Sequence, residues 1–175
     1  PQELFGRVAL HYSDDVNHAQ RLYDYFSKLY YCPSTPLLYG GGIKKEPGKR
    51  IGWGMSCFLK EVEGANKPHA AHERLSDNLY LATNGGGTAT NYTKVPAAGH
   101  DSYIPSGVIP LVVAQNYCSL AFSQGSLRPA SSAAYLGVWH PEIKEFLKVR
   151  SPTSGDLHRS AQYVHHGVIL DDKFM

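Results

Sequence analysis

Hydrophobic positions along the chain first follow the spacing of a helix. An apolar stripe with intervals of three and four residues predicts a helix over 14–31, capped by Ser13 or Asp14 and ended by Pro33. The same spacing predicts helices over 70–83 and 109–122, and His140-Pro141-Glu142 is typical of the first turn of another helix.

Shorter apolar runs alternate with these helices. The runs at 55–59, 133–139 and 167–170 predict strands, and the first of them is expected to be buried. Asn84 and the glycines at 85–87 predict a turn, followed by an irregular polar stretch to about Gly107. Helices alternating with strands indicate an α/β fold.

Composition narrows the class of protein. The chain has 175 residues, a formal charge of +2 and 42% hydrophobic residues, which excludes a disordered chain and predicts no general attraction to nucleic acid. It contains no run of about 18 apolar residues, so no membrane partner is expected. Its three scattered cysteines do not form a disulfide framework, which favours a reducing, cytoplasmic setting.

Two features offer chemistry, each with a structural alternative. Cys57 lies within the first apolar run, where a thiol is either part of a core or a reactive group. The glycines at 85–87 form either a plain turn or backbone that closely approaches a ligand, because no complete phosphate-loop pattern is present. None of the nine histidines has partners at ligand spacing, so we expect no metal site.

The segment 123–129 is unusual for a connector, because it places Gln124 and Arg128 among small residues. A glutamine amide both donates and accepts hydrogen bonds, and an arginine presents a planar fork to a base or phosphate. A structural turn and a ligand-sensing loop remain open alternatives.

Taken in order, these pieces resemble the large, catalytic subunit of ribonucleotide reductase. The resemblance covers about residues 20–175 and depends on six motifs in the family's order. They are Ser34-Thr35-Pro36-Leu37, Ser56-Cys57-Phe58-Leu59, Gly85-Gly86-Gly87, Ser123-Gln124-Gly125 with Arg128, Trp139-His140-Pro141-Glu142-Ile143 with Glu145-Phe146-Leu147, and Gly167-Val168 with Lys173-Phe174-Met175.

The resemblance implies a fold and an activity. We expect the end of a helical region over 1–32 and the first part of a ten-stranded α/β barrel over 33–175. The complete enzyme would convert ribonucleotides to deoxyribonucleotides by thiol and radical chemistry. The family's radical-bearing cysteine and the redox partner of Cys57 have no counterpart here. The isolated chain is therefore expected to be inactive.

Site residues follow from the same resemblance. Cys57 matches one of two redox-active cysteines that reduce the ribose and become a disulfide, which is the role we now favour for it. Thr35 and Ser56 match residues that hold the substrate, and Gly87 matches a glycine close to the bound nucleotide.

The resemblance also implies an effector, or specificity, site for ATP or deoxynucleotides. Its residues would be Glu63, Lys94, Ser123, Gln124 and Arg128, with Gln124 and Arg128 sensing the base. Three departures from the family predict altered allosteric control. Glu63 stands in for an aspartate, Pro96 and Tyr103 replace arginines, and Pro129-Ala130 replaces two glycines.

Partners are implied as well. They are a ribonucleotide substrate, complementary fragments of the large subunit, a radical-generating small subunit and a thioredoxin- or glutaredoxin-type reductant. No cofactor is expected on this chain. A metal-containing small subunit is favoured over adenosylcobalamin as the radical source. The chain begins with Pro1, and we expect a piece of a larger subunit, with a split gene preferred. The alternative is a nucleotide-binding or structural module that has lost catalysis.

Overall fold

The computed structural model describes residues 1–44, 54–63, 67, 69–100, 103–104, 106–122, 129–151 and 156–175. It divides into two compact units, Pro1–Ser56 and Cys57–Met175. The predicted boundary between residues 32 and 33 stays a prediction. Within the described ranges, no helix is long and apolar enough to span a membrane.

The described residues of the first unit form three helices, α1 (Gln2–His11), α2 (Val16–Ser27) and α3 (Thr35–Gly40). Val8, Ala9 and Phe26 form its buried centre. The guanidinium of Arg7 donates to the carbonyl oxygen of Leu38 over 2.7 Å and also to that of Gly41. A cation thus satisfies carbonyl groups left unpaired at the end of α3.

The predicted helix over 14–31 is shorter than expected at both ends. It begins after Asp15, whose carboxylate accepts the backbone N–H of His18 over 2.7 Å, so Asp15 is the cap rather than Ser13 or Asp14. It ends at Ser27, two residues before Leu29, which has a φ of 58°. A left-handed residue cannot continue an α-helix.

In the part of the second unit that the structure describes, four strands form one sheet in the order β1-β2-β3-β4, with every neighbouring pair parallel. Its strands are β1 (Cys57–Glu61), β2 (Gly87–Asn91), β3 (Ser132–Gly137) and β4 (Val164–Ile169). The connections contain α4 (Ala70–Thr83), α5 (Val108–Ala121), α6 (Ile143–Phe146) and a 3₁₀ turn at Leu157–Arg159. This is the predicted α/β fold.

The strand β2 corrects the expectation of an irregular stretch after the triple glycine. Its sequence, Gly-Thr-Ala-Thr-Asn, has no large apolar residue, which is why no strand was predicted. Thr88 and Thr90 are nevertheless buried, and the amide of Asn78 donates to the Thr90 hydroxyl over 2.9 Å. β-Branched side chains with satisfied hydroxyls stabilise this central strand.

Candidate functional site

The two faces of the sheet have different surroundings. Helices cover one face of the sheet. On this face, side chains of α4 and α5 donate hydrogen bonds to the hydroxyl groups of Thr90 and Ser132, and Phe146 of α6 packs against the His166 ring. The pairing register places a second set of residues on the opposite face. They are Cys57, Leu59, Glu61, Gly87, Ala89, Asn91, Ala133, Tyr135, Gly137, His165, Gly167 and Ile169.

This second face, the open face, is accessible to solvent. Leu59 is 75% exposed on it, and Cys57 and His165 are exposed as well. All-parallel sheets are normally covered on both faces. The open face is therefore the surface on which an active site or further protein is expected.

Cys57 begins β1 at one side of the sheet, and its register partner is Gly87. The two residues share a cleft of about 220 Å³ on the amino-terminal half of the strands, which we call the Cys57 cleft. Thr88, Ser132, Ala133 and His165 also line it. The expectation of a buried strand is wrong at this position, because Cys57 faces the open side of the sheet.

Gly85 and Gly86, directly before β2, let the chain turn tightly from α4 into the sheet. Gly85 has a φ of 82°, and a Cβ atom on Gly86 would lie 2.7 Å from the Phe58 ring. Gly87 then starts the strand opposite Cys57. The turn expected from the sequence is present, and a role for Gly87 in nucleotide binding stays a prediction.

Two of the expected effector residues lie at the other end of the sheet. Glu63 follows β1 and Lys94 follows β2, whereas Cys57 and Gly87 begin these strands. The four steps of β1 correspond to about 13 Å. The predicted site residues of this unit therefore form two groups rather than one.

Both of these effector candidates are engaged in ion pairs. The ammonium of Lys94 lies 2.8 Å from the Glu61 carboxylate, which raises the pKa of Lys94. The ammonium of Lys67 lies 2.9 Å from Glu63, and its hydrogen bond lowers the pKa of that carboxyl. A phosphate at Lys94 would have to compete with Glu61.

The remaining predicted residues belong to the first unit or lie outside the described residues. Thr35 starts α3 in the first unit, and Ser56 is the last residue of that unit. Ser123, Gln124 and Arg128 lie outside the described residues.

Sequence reasoning missed Tyr135 and His165, which share the open face with Cys57. A Cβ atom on Gly167 would lie 2.4 Å from the Tyr135 ring, so the ring lies directly on the backbone of β4. Tyr135 lines both the Cys57 cleft and a second cleft of about 410 Å³ beside Glu61 and Asn91. Alternation along β3 marks Tyr135, but its neighbours follow only from the register.

The Trp139-His140-Pro141-Glu142 motif has a structural role. The buried His140 ring bonds the carbonyl oxygen of Val95 through Nε2 over 2.8 Å and accepts the N–H of Glu142 through Nδ1. The Glu142 carboxylate accepts the N–H of Val108 over 2.7 Å at the start of α5. This motif therefore secures helix and loop contacts and is not part of either cleft.

Among the described residues, no group of three or more His, Cys, Asp or Glu side chains is placed to hold a metal ion.

Comparison with known proteins gives matches to both units. Residues 55–175 match the family model "Ribonucleotide reductase, barrel domain", and residues 1–46 match "Ribonucleotide reductase, all-alpha domain". The chain belongs to the ribonucleotide reductase large-subunit family. The resemblance recognised in the motifs is thereby confirmed, together with the barrel-type α/β fold.

Individual relatives agree with this assignment. The chain is 33% identical to the ribonucleoside-diphosphate reductase large subunit of Invertebrate iridescent virus 6, covering 100% of this chain and 17% of the relative. It is 29% identical to the ribonucleoside-diphosphate reductase subunit alpha of Chlamydia trachomatis, covering 99% of this chain and 16% of that protein. The chain thus spans about a sixth of these relatives.

A solved structure shows the same fold. The alpha subunit of the class Id ribonucleotide reductase of Actinobacillus ureae superimposes with a TM-score of 0.76 at 21% identity, over 98% of this chain and 30% of that one. Four parallel strands with one accessible face are consistent with a segment of a reductase barrel.

Proposed function

We propose that this chain forms the first strands of the barrel in a ribonucleotide reductase large subunit and supplies one of its reducing thiols. The complete subunit would convert ribonucleoside diphosphates to deoxyribonucleoside diphosphates for DNA synthesis. The observation that carries the proposal is the position of Cys57, exposed on the open face of the sheet and in register with Gly87.

The proposed reduction of the ribose requires two thiols next to one substrate molecule. Replacing the 2′-hydroxyl by hydrogen, with release of water, needs two protons and two electrons, and oxidation of two thiols to one disulfide supplies both protons and both electrons. Cys118 lies on α5 and does not line the Cys57 cleft, and Cys32 belongs to the other unit. The second thiol would come from protein beyond these residues, and so would the radical-bearing cysteine.

Further residues are proposed to contact the substrate or an effector. Gly87 would allow the nucleotide to approach the backbone, since it has no side chain on the open face. Ser56, directly before Cys57, and Thr35 would hold the substrate through hydroxyl and backbone donors. Glu63, Lys94, Ser123, Gln124 and Arg128 are proposed to serve a deoxynucleotide or ATP effector.

Partners follow from the reductase assignment. Relatives named as large subunits imply a small subunit, and we propose that a metal-containing one supplies the radical, in preference to adenosylcobalamin. The all-alpha match over 1–46 supports this choice. A thioredoxin- or glutaredoxin-type protein would reduce the disulfide. The rest of the large subunit, joined to this chain or separate from it, would cover the open face. We propose the cytoplasm as the setting.

The proposal is tested by Cys57→Ser in the assembled reductase, with Cys118→Ser as the matched control. We expect Cys57→Ser to abolish multiple-turnover reduction and to leave nucleotide binding nearly intact, whereas Cys118→Ser keeps turnover. Unchanged turnover in Cys57→Ser would remove the redox role and favour the alternative, a nucleotide-binding module without catalysis.

A further inference from the structure

Gln115 is a buried polar residue to which the proposed function assigns no role. It lies on α5 with no exposed surface, among apolar neighbours such as Val112. A buried amide is costly unless its donors and acceptor are paired. Its partners therefore indicate what it does.

Three hydrogen bonds hold the Gln115 amide. Its Oε1 accepts from the Tyr92 hydroxyl over 2.8 Å, and its Nε2 donates to the carbonyl oxygen of Ala133 over 3.1 Å and to the Ser132 hydroxyl. A carbonyl oxygen can only accept, so the amide nitrogen must face Ala133. The Tyr92 hydroxyl then keeps the amide in this orientation.

These hydrogen bonds hold residues in the wall of the Cys57 cleft from the helix-covered face of the sheet. Ser132 and Ala133 begin β3 and line the cleft together with Thr88, whose hydroxyl lies 3.5 Å from that of Ser132. Gln115 itself lies on the helix-covered side of the sheet and cannot contact a ligand on the open face.

We propose that Gln115 is a positioning residue for the reaction: it fixes the start of β3, and with it the wall of the Cys57 cleft that faces the nucleotide. This inference rests on the proposed function. The buried Tyr92 directly follows β2 and holds one end of the Gln115 amide, whereas the other end of the amide bonds the amino-terminal residues of β3. Gln115 thus connects the cleft wall to α5 and to the segment after β2, in addition to the hydrogen bonds of the sheet itself.

The experiment compares two buried amides in the assembled reductase. Gln115→Met keeps the length of the side chain and removes all three hydrogen bonds. Asn78→Leu removes the bond to Thr90, and neither Asn78 nor Thr90 lines the Cys57 cleft. Ser132→Ala is a milder variant that removes one of the Gln115 bonds and keeps the side chain of Gln115.

Two readouts separate positioning from stability. The first is the split between KM and kcat with CDP as substrate. The second is protection of Cys57 from iodoacetamide by CDP, measured by peptide mass spectrometry with the exposed Cys32 as internal reference. We take the lost hydrogen bonds to weaken the equilibrium for CDP binding about tenfold. KM for CDP is therefore expected to be about tenfold higher in Gln115→Met, and the protection of Cys57 is expected to fall by a similar factor. Ser132→Ala should shift both in the same direction by less.

Asn78→Leu is expected to lower stability while leaving KM and protection within about twofold of wild type. Equal changes of KM and protection in Gln115→Met and Asn78→Leu would overturn the positioning role, and so would wild-type values in both Gln115→Met and Ser132→Ala. The reductase assignment itself would survive either result, because it depends on turnover of wild type and of Cys57→Ser.

Discussion

Glu142→Ala should destabilise α5 strongly, because the Glu142 carboxylate accepts a backbone N–H at the start of that helix. Glu142 is only 9% exposed, and its carboxylate accepts the N–H of Val108, a fully buried residue at the start of the helix. The first N–H groups of a helix have no partner within it. Alanine would leave this donor buried without its carboxylate acceptor.

The magnitude follows from two contributions. A hydrogen bond to a charged group contributes about 1.5–3 kcal/mol, and an anion at a helix start adds about 0.3–1 kcal/mol. We therefore expect a loss of about 2–4 kcal/mol. Glu142→Gln keeps an acceptor without the charge and should lose about half as much.

Glu145→Ala is the matched control, because Glu145 is in the same segment but forms a half-exposed ion pair with Arg159. Such a pair contributes at most about 1 kcal/mol. Hydrogen exchange of the α5 amides measures the difference, with protection expected to fall about 30- to 1,000-fold in Glu142→Ala. Equal protection in the two alanine variants would refute the capping role.

Three further outcomes can be measured on the same chain. Gly167→Ala should cost about 1–3 kcal/mol in urea unfolding because the new methyl overlaps the Tyr135 ring, and adding Tyr135→Ala should cancel that clash. Asp15→Asn should keep α2 capped but make the stability of the protein depend less on pH in the acid range. The hydrogen bond from His18 lowers the pKa of Asp15, so the stability that the Asp15 carboxylate contributes is lost as the pH falls through that lowered value. Gly107→Ala should destabilise more than Gly167→Ala, because φ is 76° there and a Cβ would lie 2.4 Å from the Glu142 carboxylate. The unfolding midpoints of Gly107→Ala and Gly167→Ala test this order.

The elements that the sequence predicted are those with strong apolar periodicity. The helix over 70–83 has the bounds of α4, and the apolar runs predicted β1, β3 and β4 to within a few residues. β2 was missed because its buried side chains are threonines, whose burial depends on partners such as Asn78. A strand stabilised by long-range hydrogen bonds has little signal in its own residues.

The candidate site shows the same limit. Motifs identified Cys57 and Gly87 separately, but their shared cleft requires the pairing of β1 with β2. Tyr135, His165 and Gln115 were missed because only the register and the packing of α5 give them neighbours. The separation of Glu63 and Lys94 from Cys57 likewise depends on strand direction, which no local pattern contains. The cytoplasmic setting and the individual site roles stay predictions.

The central claim is that Cys57 gives its electrons to the ribose. The direct measurement is one turnover of the assembled reductase with CDP and no external reductant, followed by acid quenching, alkylation and peptide mass spectrometry. The account predicts that Cys57 is recovered in a disulfide with a cysteine from outside this chain, in an amount matching the deoxynucleotide formed. Deoxynucleotide formed while Cys57 remains fully alkylated would contradict it.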